Sequence, residues 1–209
     1  MPKKSLPPVF EPLEEHLRAL GFAAICGVDE AGRGPLAGDV YAAAVILPSD
    51  CVIEGLDDSK KLTPARRETL CEVISERALA AYVALATVAE IERINILRAA
   101  LLAMRRAVDG LNLPADMALV DGNQPPPLEI PCQTIVRGDA RCASIAAASI
   151  LAKVSRDRAM TALEETYPGY GFAQHKGYGT KVHYEALARL GPCPAHRMSF
   201  LKNWNRLLG

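Results

Sequence analysis

The stretch Cys26-Gly27-Val28-Asp29-Glu30-Ala31-Gly32-Arg33-Gly34-Pro35-Leu36-Ala37-Gly38 sets two adjacent carboxylates at the end of an apolar run, directly before a glycine-bracketed arginine. Successive side chains of a strand point to opposite faces, so one site can use both Asp29 and Glu30 only where the strand ends and the chain turns. Gly32 and Gly34 supply that turn. They also leave the backbone bare beside Arg33, so a sugar-phosphate can approach main-chain N–H groups while the guanidinium reaches an oxygen. The combination asks for a divalent cation and a phosphate backbone. A plainer reading is a hairpin connection with two solvated acids, since Asp and Gly both suit turns. A dinucleotide fingerprint fits poorly, because the third glycine is missing and two carboxylates would repel a pyrophosphate. A Walker loop fits no better, because no Gly-Lys-Ser/Thr follows.

Reading outward, Ala23 to Asp29 and Val40 to Leu47 are predicted strands joined by this turn, and Ala81 to Val88 is a third, suggesting an antiparallel meander. Between the second and third, Asp50 to Leu62 reads as a loop, and Thr63-Pro64 as an N-cap and first helical position opening a helix to about Ala80. Ile91, Ile94, Leu97, Leu101, Met104 and Val108 recur at three- and four-residue intervals, which predicts one helix from Glu90 to about Val108. Met117 to Val120 and Pro131 to Val136 are short strands, followed by a long helix from about Cys142 to Glu165. Short helices are expected at Glu11 to Leu20, Lys181 to Leu190 and the final residues, and the proline-rich residues 1 to 10 are expected to be loosely held. The order β-β-β-α-β-β-α with a helical tail is an α/β layered domain. Three strands are expected to terminate in an acid, at Asp29, Asp121 and Asp139, and strand C-termini are where sites gather in such sheets.

The chain of 209 residues has room for a full core, and no apolar run reaches the length of a membrane span, so a cytoplasmic protein is expected. Six cysteines stand without Cys-x-x-Cys or zinc-finger spacing, which predicts reduced, structural thiols. The formal net charge of zero argues against coating nucleic acid by bulk attraction and leaves only local basic patches. These are Lys60-Lys61 with Arg66-Arg67, the set Arg137, Lys153 and Arg156, and Lys176 to His183; each by itself also reads as a solvated face.

Four acids converging from three strands (Asp29, Glu30, Asp121 and Asp139) raise each other's pKa and destabilise the fold unless cations compensate. Oxygen donors without nearby His or Cys favour hard ions, Mg²⁺ or Mn²⁺, over Zn²⁺. Two such ions roughly 3.5 to 4 Å apart suit in-line phosphodiester displacement. Taken singly, Asp121 and Asp139 read equally well as turn-forming residues beside glycine.

The blocks Gly27 to Gly38, Asp58-Ser59-Lys60-Lys61-Leu62, Val120-Asp121-Gly122, Ala147 to Asp157, Lys176-Gly177-Tyr178-Gly179-Thr180 and His196-Arg197-Met198-Ser199-Phe200 closely resemble bacterial ribonuclease HII, in family order. The resemblance implies a ribonuclease H-like mixed five-stranded sheet flanked by helices, with a catalytic domain at 23–170, an N-terminal extension and short helix at 1–22, and a small C-terminal helical extension at 171–209. It implies a metal-dependent endoribonuclease that hydrolyses the RNA strand of RNA–DNA hybrids and nicks 5′ of ribonucleotides embedded in duplex DNA, leaving 3′-hydroxyl and 5′-phosphate ends. Carried over by motif, Asp29, Glu30, Asp121 and Asp139 are the acidic set holding Mg²⁺ or Mn²⁺, with Asp29 shared by both ions. The resemblance further implies that Gly32, Arg33 and Gly34 contact the ribose 2′-OH and neighbouring backbone, the hydroxyl being the group that separates RNA from DNA, and that Tyr178 lies against the sugar on the deoxyribose side of the junction. Without the resemblance, Tyr178 between two glycines reads as the filling of a surface turn.

Lys60 or Lys61 suits a backbone phosphate, and Ser149, Lys153 and Arg156 share one side of the long helix, where Lys153 also contacts substrate unless it simply pairs with Asp157. His175, His183 and His196 read as caps or packed rings. Gly38-Asp39 departs from the Gly-Pro usual in the family, which puts the geometry leading into the second strand in doubt. The rival function is a non-catalytic hybrid-binding module, whose signature would be loss of acids with retention of the basic residues; a different two-metal nuclease would not need the glycine-arginine turn. Expected partners are RNA–DNA hybrid and ribonucleotide-containing duplex, with no membrane, a monomeric state and no terminal motif for a sliding clamp.

Overall fold

The computed structural model describes residues 10–202. Helix α1 (Leu13–Ala19) precedes strands β1 (Ile25–Ala31) and β2 (Val40–Ile46), helix α2 (Pro64–Arg77) and strand β3 (Ala80–Ala86). Helices α3 (Val88–Ile94) and α4 (Ile96–Asp109) lead to β4 (Met117–Asp121) and β5 (Cys132–Ile135), and α5 (Ala143–Thr166), α6 (Phe172–His175) and α7 (Lys181–Leu190) complete the order. The five strands lie in the order β3-β2-β1-β4-β5. β1, β2 and β3 form the antiparallel meander, while β4 pairs parallel to β1 and β5 parallel to β4. The sheet is therefore mixed. The proline-rich start and the helix predicted for the final residues fall outside the described range, Phe10 apart.

Strand alternation explains the two layers. In β2, Val40, Ala42, Ala44 and Ile46 pack with Ala99, Ala103, Met104 and Ala107 of α4, whereas Ala43 and Val45 pack on the other face with Leu70 and Ile74 of α2 and Ala147, Ile150 and Leu151 of α5. Both faces of the sheet are thus covered by helices. The small residues of β2 and α5 let these layers approach closely, and the closest approach is at Gly27. A Cβ there would stand 2.1 Å from the Ser144 carbonyl carbon and 2.3 Å from the Ile145 nitrogen, both backbone atoms of α5. Tyr170, Phe172, Leu187 and Leu201 form a separate apolar cluster with Leu36, Ala37 and Met160, which seats the C-terminal segment over the turn after β1.

Three local expectations change. The helix predicted from Glu90 to Val108 is two helices, broken at Asn95, whose backbone takes φ 68° and whose side chain accepts the Arg98 amide as the cap of α4. The apolar stripe continues across the break because Ile91, Ile94, Ile96 and Met104 all face the same core, so periodicity could not reveal it. The preceding helix starts two residues early because Thr87 and Glu90 close a reciprocal capping box. The acids do not all end strands: β1 runs on through Ala31, and Asp139 lies in a short 3-10 turn, Gly138–Ala140, beyond β5. Asp39 leaves β2 regular from Val40, and its carboxylate accepts the Val88 amide at 2.8 Å, tying the start of α3 to the start of β2.

Gly27→Ala is expected to destabilise the protein by about 3 kcal/mol or more, the upper end for overpacking, because backbone rather than a flexible side chain must yield. Chemical denaturation checks this; a change below about 1 kcal/mol would show that α5 can lift off β1 freely.

Candidate active site

The last β1–β4 pair is Val28–Val120, so the next residues, Asp29 and Asp121, stand side by side on the face covered by α5. Beyond that pair β1 has no partner on its β4 side. This release, rather than the end of β1, is what lets Glu30 share the same cleft as Asp29 despite its opposite place in the pleat. Asp29 is buried and its Oδ1 accepts the Glu30 amide at 2.7 Å. Asp121 Oδ1 accepts the Gly138 amide at 2.6 Å, which fixes the turn bearing Asp139 against the end of β4.

A cleft of about 240 Å³ is lined by Asp29, Glu30, Gly32, Arg33, Gly34, Lys60, Asp121, Lys153 and Tyr178. Asp139 stands at its margin, where Lys60 Nζ lies 3.5 Å from Asp139 Oδ2. Lys61 does not line it; its ammonium turns to Asp57 at 3.0 Å. Lys153 reaches the cleft but is also held by Asp157 at 2.7 Å. Arg66 and Arg67 are spent on loop carbonyls: Arg66 donates to Glu54 O, and Arg67 to Ser59 O and Leu62 O, holding the loop that carries Lys60. Two lining serines carried little signal by type. Ser59 and Ser149 share a hydrogen bond of 2.9 Å across the cleft floor, linking that loop to α5. Arg156 lines the cleft too, yet its guanidinium is buried and donates to the Asp39, Lys176 and Ala37 carbonyls, so it is not available as a free phosphate ligand.

The electrostatics follow from this crowding. Burial, then the neighbouring Glu30 and Asp121 charges, push the Asp29 carboxyl well above the usual carboxylate range. Burial also raises Glu30, and Asp121 adds to it, although Arg33 at 3.4 Å pulls the other way. Asp139 is raised by burial and by Asp58, with Lys60 opposing. Burial works to lower the Lys60 ammonium, but Asp139, Asp29 and Asp58 outweigh it and raise it. Negative charge is therefore under-compensated at the Asp29 end.

Among the described residues no three His, Cys, Asp or Glu side chains close into a ready-made ion cage. Ions of the Mg²⁺ type are in general held by one or two carboxylates and complete their shell with water and phosphate oxygens. The cleft offers oxygen donors and no histidine or cysteine, so its chemistry fits a hard divalent ion.

Residues 26–203 match a protein-family model described as Ribonuclease HII. The chain is 62% identical over 178 residues to a ribonuclease HII of Laribacter hongkongensis, spanning 84% of this chain and 90% of that one. It is 58% identical over 176 residues to one from Dechloromonas aromatica, with the same coverage of 84% and 90%. In three dimensions it is similar to the crystal structure of ribonuclease H2 from Pyrococcus horikoshii, with a TM-score of 0.73 and 26% identity over 88% of this chain and 97% of that one.

Replacing the buried, crowded carboxylate by Asp29→Asn is expected to stabilise the metal-free protein by about 1 kcal/mol, or about 2–4 °C in thermal midpoint for a chain of this size. The sign depends on pH. A carboxyl raised above its ordinary 3.8 carries no penalty below that value, and the penalty grows as pH rises through the folded value. The gain should therefore be present at neutral pH and vanish in acid; a midpoint lowered at neutral pH would show that Asp29 is adequately compensated without a cation.

Proposed function

The chain belongs to the ribonuclease HII family and is an endoribonuclease that cleaves the RNA of RNA–DNA hybrids, and from that premise we propose that it also nicks duplex DNA on the 5′ side of an embedded ribonucleotide. The observation that carries this reading is the meeting, in one cleft, of oxygen-only carboxylates with a glycine-bracketed arginine and an exposed tyrosine. The enzyme is divalent-metal dependent, and Mg²⁺ or Mn²⁺ is the ion proposed.

Asp29, Glu30, Asp121 and Asp139 are the proposed ligands, with Asp29 shared. Bound there, a pair of ions would activate the attacking water and neutralise charge developing on the phosphate and the departing 3′-oxygen. The protein's own part is to aim the substrate. The turn at Gly32–Gly34 has no side chain other than that of Arg33, so a ribose can approach its amides closely enough to report a 2′-OH. Tyr178, with 44% of its surface exposed, offers a flat ring for the sugar beyond the junction. Lys60 is held, among the described residues, by one ion pair at 3.5 Å, which it can exchange for a backbone phosphate, and Lys153 flanks the same path. Water adds to phosphorus as the bond to the upstream 3′-oxygen breaks, which leaves a 3′-hydroxyl and a 5′-phosphate. The protein is proposed to act as a monomer.

A duplex with one ribonucleotide should be cut once, 5′ to it, with Mg²⁺ or Mn²⁺, while an all-DNA duplex stays intact. Asp121→Asn retains an oxygen for the Gly138 amide and should keep the fold, yet lose more than the roughly 10–100-fold typical of residues that merely support a metal ligand. Gel resolution of the end-labelled products reads both outcomes, and unchanged turnover would remove Asp121 from the ligand set.

A further inference from the structure

Arg197 is fully buried and, among the described residues, pairs with no carboxylate. Its guanidinium donates to four carbonyls of the turn after β1: Gly32 O at 2.7 Å, Arg33 O at 3.1 Å, Pro35 O at 2.8 Å and Gly38 O at 2.8 Å. In a trans peptide the C=O and the following N–H point in opposite directions. Drawing the Gly32 and Arg33 carbonyls inward therefore turns the Arg33 and Gly34 amides away from Arg197. The same logic can be checked one step on, because Pro35 O faces Arg197 and the Leu36 amide points away from it, to Gly177 O at 2.8 Å. Gly177 belongs to the turn that carries Tyr178.

The residue beside Arg197 reaches that second turn. His196 Nε2 lies 3.1 Å from His183 Nε2, and His183 Nδ1 lies 2.9 Å from Tyr178 O. The Cys193 amide donates to His196 Nδ1 at 2.9 Å, which leaves the proton of His196 on Nε2. His183 must then accept on Nε2 and donate from Nδ1 to the Tyr178 carbonyl, so one tautomer of each neutral ring satisfies the chain. Burial pushes His183 down to about 4 and lowers His196 as well, in keeping with two neutral rings. The two turns also touch: a Cβ on Gly34 would stand 3.7 Å from Tyr178 Cε1.

We infer that the dipeptide His196-Arg197 is a positioning clamp, Arg197 holding the Gly-Arg-Gly turn and His196, through His183, holding the Tyr178 turn, so that the two sides of an RNA-to-DNA step are read in a fixed register. The inference rests on the sugar-reading roles proposed above for the two turns. Neither residue touches substrate. Their effect is on discrimination at the junction, which depends on the spacing of the two turns, more than on hybrids that present ribose throughout.

Arg197→Lys keeps a cation but cannot span four carbonyls, and His196→Asn keeps an acceptor for the Cys193 amide while deleting the donor to His183. Tyr170→Phe is the control, since it loses only a 2.7 Å bond to Gly191 O within the same C-terminal segment. With kcat and KM measured separately on a one-ribonucleotide duplex and on a uniform RNA–DNA hybrid, both clamp variants should lower the ratio of kcat/KM for the first over the second by about tenfold to a hundredfold, chiefly through kcat. Tyr170→Phe should lower the thermal midpoint and leave the ratio at the wild-type value. Equal losses on both substrates in the clamp variants would reduce the two residues to structural supports and overturn the inference. If Arg197→Lys does not fold, His196→Asn carries the test alone. Failure of the wild type to cut the one-ribonucleotide duplex would instead refute the sugar-reading assignment itself.

Discussion

The register of one parallel strand pair governs the site. Because Val28 faces Val120, Asp29 and Asp121 must follow side by side on the face under α5. The pairing sets the two residues beside each other, and burial of Asp29 removes water that would screen its charge. The sheet thus concentrates negative charge where β1 loses its β4 neighbour. That open edge is also where substrate oxygens can enter. The crowding of carboxylates and the opening beside them are one feature of the same pairing.

Helix α5 converts this edge into a cleft. Its first turn lies directly on Gly27, which allows Ser149, one turn and a half further along, to meet Ser59 and Lys153 to reach the rim. A larger residue at position 27 would displace the helix and with it the floor of the cleft. The loop bearing Lys60 is also held by Arg67 donating to Ser59 O and Leu62 O, while the Lys60 ammonium itself stands exposed at the rim.

Much of this order was legible in the residues. The antiparallel meander, the Thr63-Pro64 helix start and the long α5 follow from alternation, capping chemistry and length. The break at Asn95 was hidden because the apolar stripes of α3 and α4 continue one another, although Thr87 with Glu90, and Asn95 itself, are capping residues by type. At the site, Asp29 and Glu30 drew notice as adjacent acids before a glycine-bracketed arginine, Asp121 beside Gly122 stood out from a turn residue only through the family resemblance, and the choice of Lys60 over Lys61 depends on which way a loop turns. Arg156 looked like a phosphate ligand on its helix face. Its actual partners are main-chain carbonyls, which every residue has and which therefore leave no mark in a sequence.

The same blindness covers Arg197, and the two buried arginines are best understood together. Burial, with Arg156 nearby, pushes the Arg197 guanidinium down to about 9, so it stays charged at neutral pH. Among the described residues neither guanidinium has a direct carboxylate partner, and each cation is solvated by carbonyl dipoles of the turn and its surroundings. Those dipoles turn their negative ends inward, leaving the amide ends of the same peptide planes on the other side. A protein with no net charge thereby builds a local division: carboxylates at the end of the sheet, and beside them a turn whose N–H groups are backed by two cations. On the proposed reading, an anionic backbone is drawn to the turn and repelled by uncompensated carboxylates, a repulsion that cations on the acidic side would relieve.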